Sequence, residues 1–92
     1  MSARAMQLEK RREQRRRVTG SVEIRLSGPG ARRIGGVLID VSTSGFRMAH
    51  QDAALEAGEI VEFSHGEAAG KARVMWNRIV EGRVETGFLL IF

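Results

Sequence analysis

Two groups of residues in the 92-residue chain have the types and spacing to do chemistry. The first is a run of arginines near the N-terminus, in which Arg12 and Arg16 stand four apart and Arg11 and Arg15 repeat that spacing one position earlier. A guanidinium carries a fixed charge and a planar fork of donors that matches phosphate oxygens two at a time, so such a run points to an anionic partner, phosphate first among them. Standing alone, it is also what a solvated basic tail looks like. The second group is Asp40-Val41-Ser42-Thr43-Ser44-Gly45. Asp and Ser side chains bond nearby backbone N–H groups and Gly45 is expected to supply a positive φ, so by itself this segment reads as turn chemistry.

Other chemistry is missing. There is no cysteine, which removes disulfides, thiolate nucleophiles and cysteine-based zinc sites together. Ser42 and Ser44 sit in no G-x-S-x-G elbow, and neither His50 nor His65 has a sequence context that pairs it with a serine. Two isolated histidines fall short of the three or four ligands a metal needs, and both read as loop residues. Gly28, Gly30, Gly35 and Gly36 do not follow G-x-G-x-x-G and lie between two predicted strands, which excludes a dinucleotide fingerprint. A chain of this length buries only about 60–65% of its unfolded surface, which favours a surface-binding module over an enzyme with an internal cavity. The reading is a non-enzyme with no metal and no cofactor.

The charge is unevenly placed. Residues 1–17 hold seven basic side chains against two acidic ones, a net of +5, and residues 18–92 hold eight against nine, a net of −1. We therefore read 1–17 as a basic arm and 18–92 as one small domain. The first residues lack the apolar core of a signal peptide, and no apolar run approaches the ~20 residues that span a bilayer. The expectation is a soluble, cytoplasmic protein with no membrane insertion.

The domain must position the two groups. Val22, Ile24 and Leu26 alternate with Glu23 and Arg25 as a half-buried strand, which ends in Ser27-Gly28-Pro29-Gly30. Residues 34–41 form a second strand, with Gly35 and Gly36 marking a bulge or a close backbone approach. Phe46 and Met48 flank Arg47 on a third, and residues 51–58 form a loop or a single helical turn. Val61 and Phe63, then Ala72, Val74 and Trp76, then Val84 to Phe92 complete about six short strands. Strands at this spacing with no long helices between them predict an all-β domain, and closure into a small antiparallel barrel hides the edge of the apolar terminal strand. On this alternation most aromatics belong to the core, leaving no stacking platform for a nucleic acid. Only the arm has helix-forming composition, and it is expected to stay mobile until its arginines are held.

Taken together, R-x-x-x-R just before the first strand and D-x-S-x-x-G at the end of the second resemble the PilZ domain family. The resemblance runs from Arg11 to Phe92 and includes Val74-Met75-Trp76 and Gly87-Phe88-Leu89-Leu90. It implies a six-stranded antiparallel barrel that binds the second messenger cyclic di-GMP. Carried over by position, Arg12 and Arg16 are the motif arginines, with Arg11 and Arg15 the reserve pair, and Asp40, Ser42 and Gly45 are the loop positions. Arg17 stands where many members place a hydrophobic residue. The implied chemistry is consistent. Arginine serves phosphate, guanine O6/N7 and a purine face, a carboxylate accepts from guanine N1–H and N2–H, and Gly45 lets the loop approach closely. The implied mechanism is bacterial signal transduction, in which ligand orders the arm and so forms or hides a surface for an unidentified downstream protein, with two chains sharing ligand as a possible dimer. Two other readings are a ligand-independent protein-interaction domain and a small barrel that binds single-stranded nucleic acid.

Overall fold

The computed structural model describes residues 15–66 and 68–92. Seven strands occur in the order β1 Arg16–Arg17, β2 Ser21–Leu26, β3 Arg32–Val41, β4 Gly45–His50, β5 Ile60–His65, β6 Ala68–Val80 and β7 Arg83–Ile91, with no helix among the described residues. All pairings are antiparallel. The order β3-β2-β5-β6-β7-β4 returns to β3 through the β3–β4 pairing, which closes a six-stranded barrel and leaves β1 as an extra strand on β3. The all-β barrel expected from the spacing of the turns is therefore the fold. The last two arm residues, Arg16 and Arg17, belong to its sheet.

Alternation in each strand aims one side inward, where Ile24, Phe46, Met48, Val61, Phe63, Val74 and Phe88 form the core. Phe46 stacks on Phe88 at 4.7 Å between centroids and tilts against Phe63 at 4.9 Å. Leu55, from the loop between β4 and β5, is 3% exposed and packs into this core, so residues 51–58 form a turn-rich loop and no helical turn. Gly36 makes the close approach read from the sequence, because a Cβ there would meet the Ala49 carbonyl and the Met48 side chain. The bulge in β3 lies elsewhere, between Leu38 and Asp40.

Three sequence expectations are corrected. His50 and His65 are not loop residues but the last residues of β4 and β5. Gly45 has no positive φ. A Cβ there would strike the Phe88 carbonyl oxygen, so the glycine is required by the seam between β4 and β7 rather than by a turn. Trp76 is not a core residue. A register shift between Val74 and Trp76 inserts Met75 into β6, reverses the alternation and leaves the indole 37% exposed.

The β6–β7 hairpin turns through Glu81 and Gly82, both with positive φ (51° and 81°), the backbone of a type I′ turn. Glutamate is poorly suited to that conformation and asparagine is well suited to it. Glu81→Asn is expected to raise unfolding stability by about 0.5–1 kcal/mol, read from the urea midpoint; an unchanged or lower midpoint would refute this account of the turn.

Candidate functional site

The β3 bulge sets Asp40 on the outside of the barrel while its neighbours Leu38 and Val41 pair with core positions Met48 and Phe46. Asp40 is nevertheless only 3% exposed, because two arginines cover it. Arg47 donates from Nε to Oδ1 at 3.0 Å and to Oδ2 at 2.9 Å, and from Nη2 to Oδ2. Arg15 donates from Nη1 to Oδ1 at 3.0 Å. The hydrogen bonds from Arg47, reinforced by the charges of Arg47 and Arg15, outweigh burial and hold the Asp40 carboxyl below its ordinary range.

The pairing registers extend this cluster across the outer surface. Arg17 lies opposite Asp40, Asp40 opposite Arg47, Arg47 opposite Gly87, and Gly87 opposite Trp76. The indole lies across Gly87, where a Cβ would enter its ring, and the Arg78 guanidinium sits 5.5 Å from its centroid. Beside the row, an open groove of about 890 Å³ runs between Arg17 and Arg83 over Gly36, Val37 and Ala49. The result is a shallow outer face bearing fixed cations, two shielded carboxylates, Asp40 and the Glu85 held by Arg78 and Arg83, and one exposed aromatic ring.

The residues singled out in the sequence are thus partly gathered. Arg15 reaches Asp40, and Ser42 and Gly45 lie in the same β3–β4 hairpin, where the Ser42 N–H donates to the Gly45 carbonyl at 2.8 Å and its hydroxyl at 3.4 Å. Arg16 pairs with the inward position Val41, away from the carboxylate. Arg11 and Arg12 lie outside the described residues. Arg47 and Trp76 were not read as site residues. Arg47 had a legible signal, because a hairpin closing around Ser42–Gly45 must place the residues two beyond each end opposite one another. Trp76 had none, because a one-residue bulge is invisible in the alternation.

The other end of the barrel carries a polar chain. Asp52 N–H donates to His50 Nδ1 at 3.0 Å, which leaves the proton on Nε2 to be donated to Thr86 Oγ1 at 2.6 Å. Thr86 donates to Asn77 Oδ1, and Asn77 Nδ2 donates to the Leu55 carbonyl at 2.7 Å. This pins the 51–59 loop and requires neutral His50, whose pKa burial pushes down. An unfolded chain takes up that proton near pH 6.5, so the folded state is favoured above this value and loses the advantage as pH falls below it. Burial depresses His65 in the same direction. The urea midpoint is expected to fall between pH 8 and pH 5.5, and His50→Gln should flatten part of that fall; a flat wild-type profile would contradict the assignment.

No protein-family model matches the chain, and no curated protein is significantly similar to it. Fold and site together define a small closed antiparallel barrel with a cationic outer face.

Proposed function

We propose that the chain is a non-enzymatic receptor domain for cyclic di-GMP, with the outer row as its binding face. The observation that carries this reading is the placement of Arg15, Arg17, Asp40, Arg47 and Trp76 on one side of adjacent strands. Two phosphodiester charges call for several guanidinium groups, and a purine calls for a flat partner and a carboxylate facing its N1–H and N2–H donors. Trp76 supplies the flat partner. Asp40 is already held by Arg15 and Arg47, so in this reading the ligand phosphate draws Arg15 away and frees an edge of the carboxylate. That transfer moves the Arg15 side chain and converts messenger binding into a change visible to a downstream protein.

Calorimetric titration tests the proposal, with cyclic di-GMP added to the wild type, Arg15→Ala and Trp76→Ala, and GTP as control. Saturable wild-type binding is expected, weakened by about 10-fold to 100-fold in Arg15→Ala. The absence of saturable binding by the wild type overturns the reading. The same cations and indole would also suit single-stranded nucleic acid, which would show a much steeper salt dependence than a compact dianion.

A further inference from the structure

β1 divides the arginines between two sides of the barrel wall. Arg17 pairs with outward Asp40, whereas Arg16 pairs with Val41, which packs against the core. Arg16 and Val41 line a pocket of about 510 Å³ at the end of the barrel, together with Val18, Leu38, Gly66 and His65. Its polar lining is one guanidinium, one imidazole and the residues Thr19 and Ser21. Neither Arg16 nor the His65 ring nitrogens has a hydrogen-bond or ion-pair partner among the described residues.

His65 is unusually well fixed for a side chain without such a partner. Its ring stacks on Phe63 at 5.5 Å and 24°, and meets Phe46 edge-on at 5.2 Å and 66°. Both phenylalanines are core residues, so the imidazole is fixed at the pocket by packing on one face and one edge, while its nitrogens make no hydrogen bond among the described residues. A flat, half-buried ring with unused nitrogens beside an unpaired arginine is suited to a planar nitrogenous ring attached to a phosphate.

We propose that this pocket is a second contact region for the ligand, in which His65 takes a guanine ring by stacking or edge contact beside Arg16, the arginine already expected from the resemblance to hold phosphate. This rests on the cyclic di-GMP reading of the outer face. The two regions meet at the rim, because Arg17 and Arg16, like their partners Asp40 and Val41, are consecutive residues on paired strands, and Arg15 just before them also reaches Asp40. A ligand with two bases and two phosphates is suited to a site divided in this way, whereas a mononucleotide would fill only one half. Discrimination against GMP and GTP would arise from that division.

The test follows the His65 ring resonances of the wild type by NMR during titration with cyclic di-GMP, alongside calorimetry of wild type, His65→Phe and His65→Ala. The expected result is a saturable shift of the His65 ring signals that tracks the calorimetric isotherm. His65→Ala should weaken binding about tenfold and His65→Phe should lose much less, within the range for a base stacked on an aromatic ring. Ligand binding by the wild type with His65 signals unmoved would overturn this inference and leave the outer-face reading standing. Failure of the wild type to bind would overturn both. The wild-type spectra decide the matter even if His65→Ala is poorly folded.

Discussion

Gly45→Ala is expected to lower unfolding stability by about 3 kcal/mol, toward the upper end for overpacking, because the added methyl meets main chain rather than a side chain that could swing aside. Gly45 pairs with Leu89, and the Ser44 carbonyl accepts the Leu90 N–H at 2.7 Å, so relieving the clash would prise open the seam between β4 and β7. A domain of this size has about 5–10 kcal/mol in total, so the change is a large share. Gly35→Ala is the matched control, since a Cβ there meets nothing within 4 Å and its φ is not positive. That variant should unfold at the wild-type urea concentration or slightly above. If Gly45→Ala cost under 1 kcal/mol, the role assigned to the seam would be wrong. The glycine would then be needed for ligand approach alone, and the defect would appear only in binding.

The second large effect concerns Asp40. Arg47→Ala removes most of the donors from a carboxylate that is 3% exposed and leaves, among the described residues, only Arg15, whose side chain is 43% exposed. Breaking one side of a buried pair leaves the other charge uncompensated, and with Arg15 and solvent partly compensating, the cost at pH 7 is expected to be about 2–3 kcal/mol. Asp40→Asn should cost less, because an amide keeps an acceptor and carries no charge to compensate. In a double-mutant cycle the two substitutions should be strongly non-additive. The pH dependence has a definite sign. Asp40 is held below its ordinary range, so its contribution is present above about pH 4 and fades as pH falls through the depressed value. The gap between wild type and Arg47→Ala should therefore shrink in acid, well below the window in which His50 acts. Additive substitutions with a pH-independent gap would show that the ion pair does not hold the hairpin.

If the outer face is the ligand site, Asp40→Asn also separates stability from recognition. It should remain folded at pH 7 and bind cyclic di-GMP more weakly than wild type, because an amide offers only one oxygen to the guanine donors.

Much of this was legible in the sequence. Alternation of Val22-Glu23-Ile24-Arg25 and of Val84 to Leu90, with glycine-bearing turns between, was enough to specify the six barrel strands and their closure, though not the added strand β1, because a period of two leaves few other ways to bury one face. The concentration of arginine near the N-terminus and the hairpin at Asp40–Gly45 were equally local facts. What the tertiary structure decided turns on single-residue shifts and on contacts between distant strands. One inserted residue at Met75 turned Trp76 outward, and one at Ile39 placed Asp40 beneath Arg15 and Arg47 while Arg16 went to the pocket at the barrel end. Gly45 and Gly87 are glycines because of what crosses above them, a carbonyl from β7 and an indole from β6. Such choices depend on register, where a step of one residue exchanges the two faces of a strand, and composition carries no record of it.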